Sequence, residues 1–331
     1  MNTPFKLLAL ALVAASPATV AQTEAASGAQ SRDLQPRAAE IAPLAVKSLL
    51  LDLTQAGDRL VAVGDRGSIL VSSDGVIWEQ SAVPVQATLN TVSFANAQNG
   101  WAGGHDQSIL HTADGGKTWT KQHFNAEDSK PVLSVLALDA QRAIAVGAYG
   151  LLLSTADTGK TWSAVEAPSL LDEGPHLNGV IRLNNGDLFI VGETGLIGVS
   201  SNGTQWARLK QPYEGSLFGA LAHGNKGAII FGLRGNALMT SDVRSGSWKR
   251  LNTQTVQSLF AGSALPGNDV ILVGADGAML RVTQDGKVRV ANAVNLNGKS
   301  EGYGTLSGVL PWKAGLIVVG EQGVTRVPAA P

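Results

Sequence analysis

The sequence contains no cysteine, three tyrosines, three methionines and five histidines among 331 residues. Without cysteine, the chain forms no disulfide, no cysteine-ligated metal site and no lipid-modified cysteine. The net charge is −1 and no basic block occurs, so nucleic acid is not an expected partner. The histidines lack metal-ligand spacing, and the glycine pairs join strand to strand without the helix that a nucleotide site needs. We therefore expect no metal and no cofactor.

Long apolar runs are also absent, because no stretch reaches the ~18 residues of a membrane span. The N-terminus is typical of a secretory signal, with Lys6, an apolar run at Leu7–Ala15 and small residues before Gln22. We expect cleavage after Ala21 and a periplasmic product. Residues 22–37 are interpreted as a flexible lead-in, and residues 38–331 as one domain.

What the sequence does contain is a repeat. Seven apolar runs each end in a Gly-x-x-Gly-type element, and the first glycines of successive elements are 40 to 46 residues apart. In the second copy, Gln107 replaces the closing glycine. A period of this length, with several short strands in each unit, is typical of propeller blades.

A second motif follows most copies. Residues 112–119 read Thr-x-Asp-x-Gly-x-Thr-Trp, which resembles the Asp-box of BNR repeats. In such a turn the glycine supplies a positive φ and the aspartate bonds backbone amides, so both residue types have a structural role. The same interpretation applies to the tryptophan that ends each box and packs between blades. The residues given this structural role are Asp74, Asp114, Trp119, Asp157 and Trp162.

These patterns predict an all-β fold, a seven-bladed β-propeller of four-stranded antiparallel blades. The first strand of the sixth blade is expected near residues 256–260. The seventh repeat has room for only three strands before Pro331. Because an open blade would expose a sheet edge, we expect residues 38–44 to supply its outer strand and close the ring.

Antiparallel strands reverse direction at every turn. The turns between the second and third strands of each blade therefore share one face with the connections between blades, and we call it the BC face. Loops on a rigid scaffold commonly carry function, so this face is the candidate partner-binding surface. Its candidate residues are Arg66, His105, Tyr149, Glu193, Arg234, Asp276 and Glu321.

The paired motifs, above all at residues 104–119 and 147–162, resemble those of the photosystem II stability/assembly factor family. The resemblance covers residues 40–327. It implies a non-enzymatic propeller that holds a protein partner, such as a membrane-protein subunit, during assembly. Photosynthetic members are associated with a basic surface patch, whereas acidic residues surround Arg66 and Arg234 here. A partner in another envelope complex, such as an exporter, is therefore expected.

Two other classes of protein remain open beside the assembly factor: an enzyme, in either of two forms, and a plain binding module. A sialidase-like glycosidase would need an arginine triad and a Tyr–Glu pair, for which Tyr149 and Glu193 are the candidates. A hydrolase using two of Glu193, Asp276 and Glu321 is also conceivable, although nothing selects a pair. The third class is a glycan- or peptide-binding module, which the sequence does not separate from an assembly factor.

Overall fold

A computed structural model describes residues 35–128, 130–291 and 302–328, so the expected signal peptide at 1–21 and most of the lead-in lie outside the described residues. The strands of the first four blades follow in chain order. They are β1 (Leu50–Ala56), β2 (Arg59–Gly64), β3 (Ile69–Ser72), β4 (Glu79–Gln80); β5 (Leu89–Phe94), β6 (Gly100–Gly104), β7 (Ile109–Thr112), β8 (Thr120–His123); β9 (Val132–Ala137), β10 (Ala143–Gly147), β11 (Leu152–Thr155), β12 (Ser163–Ala164); and β13 (Leu177–Arg182), β14 (Leu188–Gly192), β15 (Ile197–Ser200), β16 (Ala207–Arg208).

The remaining three blades continue the pattern. Their strands are β17 (Leu217–His223), β18 (Gly227–Gly232), β19 (Ala237–Thr240), β20 (Lys249–Arg250); β21 (Leu259–Ala264), β22 (Val270–Gly274), β23 (Met279–Val282), β24 (Val288–Val290); and β25 (Leu306–Trp312), β26 (Gly315–Gly320), β27 (Gly323–Pro328). A one-turn helix, α1 (Pro168–Leu171), precedes blade 4. The predicted seven-bladed antiparallel propeller is confirmed, with six four-stranded sheets and a seventh of three strands.

The second strand of each blade forms the centre of the packing. These strands are apolar on both faces and buried along almost their whole length, as in β14 and β22. A strand covered on both faces reads as a continuous apolar run without alternation. The cores lie between neighbouring blades; one joins Val61 and Val63 of blade 1 to Leu89 and Trp119 of blade 2.

Polar residues of the innermost strands connect one blade to the next. The carboxylate of Asp52 accepts a hydrogen bond from the Val92 amide at 2.8 Å. In the next interface Thr91 Oγ1 accepts from the Val135 amide at 3.2 Å. These bonds satisfy backbone groups on the inner edge of the sheets, which have no further strand to pair with.

The Asp-box turn is held by side chains bonding to backbone. Asp114 Oδ1 accepts from Thr112 Oγ1 at 2.8 Å and from the Thr118 amide at 3.0 Å, and its Oδ2 accepts from Thr118 Oγ1 at 2.6 Å. Trp119 Nε1 donates to the Gly116 carbonyl at 2.9 Å. Asp157 repeats this arrangement, and hydrogen bonds from the Thr161 amide and hydroxyl lower its pKa to about 2.

The prediction that residues 38–44 complete blade 7 is wrong. This segment lies along the outer strand of blade 1: the Ala39 amide donates to the Val83 carbonyl at 2.9 Å, and the Gln80 side chain bonds both the Glu40 carbonyl and the Ala42 amide. A 3₁₀ turn at Ala45–Lys47 then connects this segment to β1.

The ring is closed by packing instead of a shared sheet. Leu50 and Leu53 of blade 1 share a buried cluster with Ile317 and Val319 of blade 7. Ser307 Oγ donates to the Leu50 carbonyl at 2.6 Å across the same interface. Among the residues that the structure describes, no helix is long and apolar enough to cross a membrane.

Candidate functional site

The BC face is built from nearly identical turns. In blade 1, the Ser68 amide donates to the Asp65 carbonyl at 3.0 Å, and Arg66 and Gly67 between them both have positive φ. This is a type I′ turn, which favours glycine and strains other residues. Six blades place a non-glycine residue at the first positive-φ position. These residues are Arg66, Asp106, Tyr149, Thr194, Arg234 and Asp276.

Gln107 takes the second position in blade 2, where the other turns have glycine. Its φ is 47°, and its side chain is almost fully buried. Gln107 Nε2 donates to Asp128 Oδ2 at 2.6 Å, and Gln107 Oε1 lies 3.1 Å from Nε2 of His123. Burial lowers the pKa of His123, which favours the neutral ring. These bonds offset the backbone strain of a non-glycine residue in this conformation.

The candidate residues occupy two different positions in these turns. Arg66, Tyr149, Arg234 and Asp276 are exposed at the tips. His105, Glu193 and Glu321 lie one position earlier, where the backbone amide of each turn bonds the residue before the first strand of its own blade. The structure thus places all of them on the BC face but distributes them over all seven blades.

Two of the acidic candidates bond backbone. Glu193 Oε1 accepts from the His176 amide at 3.0 Å, and Glu321 Oε2 accepts from the Thr305 amide at 3.0 Å. The Thr305 hydrogen bond holds the pKa of Glu321 below its usual range. Both carboxylates therefore secure the turn to the start of a strand, which limits their use as catalytic acids.

Tyr149 and Glu193 meet around His176. The rings of Tyr149 and His176 pack edge to face with centroids 4.7 Å apart, and Glu193 bonds the His176 amide. Arg66 and Arg234 belong to blades 1 and 5, whereas this group belongs to blades 3 and 4. The arginine triad of a sialidase-like site is therefore not assembled from the arginines at the turn tips.

Arg234 borders a cavity of about 610 Å³ between blades 5 and 6. The cavity is lined by Arg234, Asn236, Arg250 and the connection Leu251–Gln257, with no acidic residue among them. Asn236 accepts from the Arg250 guanidinium and donates to the Tyr213 hydroxyl at 2.9 Å. Guanidinium and amide groups side by side suit a carboxylate and the peptide groups around it.

Arg66 borders a second cavity of about 610 Å³ on the same face. Here Glu40 and Asp65 also line the wall, and Arg66 Nε lies 3.7 Å from Asp65 Oδ2. The acidic neighbours offset the charge of Arg66, as the sequence predicted. The same prediction fails for Arg234, because no acidic residue lines its cavity. Of the two cavities, the one at Arg234 is the better anion site.

The central channel contains a smaller cavity of about 210 Å³, to which all seven innermost strands contribute. Phe218 and Phe260 pack against each other on one side, with ring centroids 5.3 Å apart. Burial raises the pKa of Asp52 to about 6, although the Val92 and Leu53 amides hydrogen-bond its carboxylate. Asp52 faces the channel and is half-buried, but those bonds connect blades 1 and 2, so its role is structural.

The described part of the chain contains no group of three or more histidine, cysteine, aspartate and glutamate side chains that could hold a metal ion. Sequence reasoning missed Arg250 and His176. Arg250 lies in an outer strand, and only the fold brings it to Arg234. His176 immediately precedes an innermost strand. This position recurs in every repeat, so the sequence could have indicated the residues there that bond the turns.

Two observations define the class of protein: a ring of seven small sheets, and a BC face with exposed turn tips and two arginine-lined cavities. This is a seven-bladed β-propeller in which the turns between the second and third strands share one face with the connections between blades. Residues 70–326 match the family described as photosynthesis system II assembly factor YCF48. The chain belongs to that family, and the resemblance read from the repeats is confirmed.

Individual relatives agree with the family. The photosystem II assembly protein Ycf48 of Thermosynechococcus vestitus is 26% identical over 230 residues, which are 69% of this chain and 62% of that protein. The solved structure of YCF48 bound to D1 peptide has a TM-score of 0.68 at 19% identity, covering 90% of this chain and 97% of that one. YCF48 from Cyanidioschyzon merolae has a TM-score of 0.69 at 19% identity, covering 88% and 98%.

Proposed function

We propose that this protein is an exported, non-enzymatic scaffold whose BC face binds an acidic segment of a protein partner. The partner is a subunit of an envelope membrane complex or exporter, and the scaffold assists its assembly or function in the periplasm. The observation that carries the proposal is the cavity at Arg234, where two arginines converge without an acidic neighbour among the lining residues.

The family supports a partner of this kind. The YCF48 structure with a D1 peptide is an example of the same fold holding a segment of another protein. A cavity of about 610 Å³ accommodates a few residues of a peptide, and a rigid ring holds the lining groups in place before binding.

The three acidic candidates on the BC face do not form an acid–base pair with one another, which favours a binding role over catalysis. Glu193 and Glu321 bond backbone amides, and Asp276 Oδ2 accepts from Gln257 Nε2 at 2.6 Å. A hydrolase would need two carboxyl groups facing one reacting bond. These three belong to blades 4, 7 and 6 and are each committed to a neighbour.

The test is recovery of the membrane partner from detergent-solubilised membranes, with the mature protein as bait. Arg234→Glu should reduce recovery at least about tenfold, because reversing a charge in a cavity that the partner occupies costs ~1.4 kcal/mol or more. Arg66→Glu and Tyr149→Ala should have smaller effects. Arg208→Glu, an exposed arginine on the outer strand of blade 4, is the matched control.

Each variant must keep the melting temperature of the parent protein, which separates loss of binding from loss of fold. If Arg234→Glu, Arg66→Glu and Tyr149→Ala all recover the partner as well as the parent does, the BC face is not the binding surface. If glycans and no membrane protein are recovered, the protein is a glycan-binding module.

A further inference from the structure

Among the residues that the structure describes, no strand pairs with the outer edge of β27 in blade 7. Gly320 and Gly323 form the pair that closes the β26–β27 hairpin, and Val318 pairs with Thr325 further along. Hydrogen-bonded and non-bonded pairs alternate in an antiparallel ladder. Thr325 therefore bonds β26, whereas the peptide groups of Val324 and Arg326 point outward.

The other blades show what belongs at this edge. In blade 1, the Ile69 carbonyl, which corresponds to that of Val324, accepts from the Ser81 amide just after the outer strand, at 2.9 Å. The same bond recurs at 2.9 Å in four more blades. The carbonyls are those of Leu152, Ile197, Ala237 and Met279. Among the described residues, nothing pairs with the corresponding edge of β27.

Apolar side chains flank this edge. Trp78, at the end of the blade 1 Asp-box, packs on the same cluster as Val324 and is half-buried, whereas Trp119 at the same place in blade 2 is 5% exposed. The same turn carries Val76 and Ile77, which are 59% and 69% exposed. A strand added to β27 would bury apolar surface here as well as pair backbone.

The described N-terminal segment does not fill the position, since Ala39 and Ala42 are bonded to the outer edge of blade 1. A second copy is disfavoured as well. Self-pairing of β27 would bring together two copies of the exposed Arg326. Like charges directly opposite each other on paired strands are destabilising.

The charges favour an acidic occupant. Three exposed basic residues lie around the edge. Arg326 is in β27 itself, Lys313 is in the turn between β25 and β26, and Lys47 is in the turn before β1. The nearby acidic residues are already engaged: Asp74 accepts from the Val76 amide at 2.7 Å, and Glu321 accepts from the Thr305 amide. Both carboxylates keep their negative charge in these bonds, so the three basic and two acidic side chains leave a formal charge of +1 around the edge.

We propose that the open edge of β27 is a second docking site, where an extended, acidic segment of a partner protein adds as the fourth strand of blade 7 and covers Trp78. This mode of recognition supplies main-chain hydrogen bonds for affinity and side-chain contacts for selectivity. It goes beyond the BC-face site and does not need it.

The test uses the full mature protein and a synthetic peptide that copies residues 77–83, the outer-strand segment of blade 1. Hydrogen exchange of the Arg326 amide is followed by NMR, with Thr325 and Val327 as internal references already bonded to β26. On addition of the peptide, exchange at Arg326 should slow about tenfold at about 90% occupancy, with little change at the references. The same peptide with proline in place of its serine should have little effect, because it lacks the amide that reaches the Val324 carbonyl.

Two variants separate backbone pairing from charge. Arg326→Pro removes the outward amide and should abolish peptide binding, while Arg326→Ala keeps the amide and should weaken binding by a few-fold at most. Both should melt like the parent protein, since the ladder to β26 does not use this amide. Arg234→Glu should leave peptide binding unchanged, so failure at either site is distinguishable from failure at the other.

Three results would overturn the proposal. If the Arg326 amide is already protected in the dilute free protein, another part of the same chain fills the edge. If protection develops with protein concentration alone, the occupant is a second copy. If the peptide has no effect at any accessible concentration, the edge is not a docking site.

Discussion

The Asp-box aspartate offers the sharpest test of how the blades hold together. Asp114→Ala removes a carboxylate that accepts three hydrogen bonds, from the Thr118 amide and the hydroxyls of Thr112 and Thr118. Burial opposes ionisation of Asp114, but these bonds outweigh it and lower its pKa. The turn also places Gly116 and Trp119 against blade 1, so its shape matters to the interface.

The expected cost follows from these contacts. A hydrogen bond to a charged group contributes roughly 1.5–3 kcal/mol when buried, but Thr118 is exposed and water replaces part of what the carboxylate supplied. We therefore expect Asp114→Ala to lower the free energy of unfolding by about 1–2 kcal/mol. Asp114→Asn should recover part of this loss, because Asn202 already accepts the Thr204 and Gln205 amides in blade 4.

The measurement is equilibrium denaturation by urea, followed by tryptophan fluorescence and circular dichroism to check for a single transition. Asp58→Ala is the matched control. It removes the same charge from a side chain that is 94% exposed and lies 3.8 Å from Arg59 Nε. Because Asp58 is so exposed, water screens its attraction to Arg59, and the pair is worth less than about 1 kcal/mol.

The stability of Asp114→Ala relative to Asp58→Ala decides whether the carboxylate holds the turn. If Asp114→Ala is as stable as Asp58→Ala, the Asp-box carboxylate does not hold the turn. If Asp114→Ala is fully stable but fails to recover the partner, the Asp-box face takes part in binding and the structural role given to these aspartates is wrong.

Three further predictions follow from the same structure. Burial lowers the pKa of His111, so the unfolded chain binds more protons once the pH falls below 6.5, and stability declines there; His111→Phe should reduce the decline in melting temperature between neutral pH and about pH 5, and an unchanged decline would contradict this. Gln80→Leu should make residues 39–42 several-fold more sensitive to limited proteolysis with little change in melting temperature, because Gln80 bonds Glu40 and Ala42 within that stretch; equal sensitivity would mean that other contacts hold it. The exported protein should begin at Gln22 on N-terminal sequencing, whereas an intact signal in a cytoplasmic fraction would exclude cleavage after Ala21.

Only part of the candidate site could be predicted from the residue patterns. The glycine pairs placed Arg66, Tyr149, Arg234 and Asp276 at turn tips on one face, because a type I′ turn is specified by a few adjacent residues. The sequence did not show that Glu193 would bond backbone instead of facing solvent. That outcome depends on the angle between a turn and the strand behind it.

The first strand of the sixth blade is a second example. The apolar pattern predicted it near residues 256–260, but it begins at Leu259, and Val256 is 80% exposed. Thr253 Oγ1 donates to the Gly235 carbonyl at 2.7 Å and draws the connection onto blade 5. A contact between two blades therefore decides where this strand starts and forms the wall of the Arg234 cavity.

The sequence by itself determined the number of blades, the order of strands and the chemistry of the turns, since each depends on residues close together in the chain. Only the tertiary structure decided how the ring closes. Residues 38–44 have an extended character that suits the outer edge of either blade 1 or blade 7. Bonds from Gln80 and Val83 selected blade 1. Within the described residues, that choice leaves the edge of β27 without a fourth strand, because pairing between distant segments depends on which partner the folded chain brings within reach.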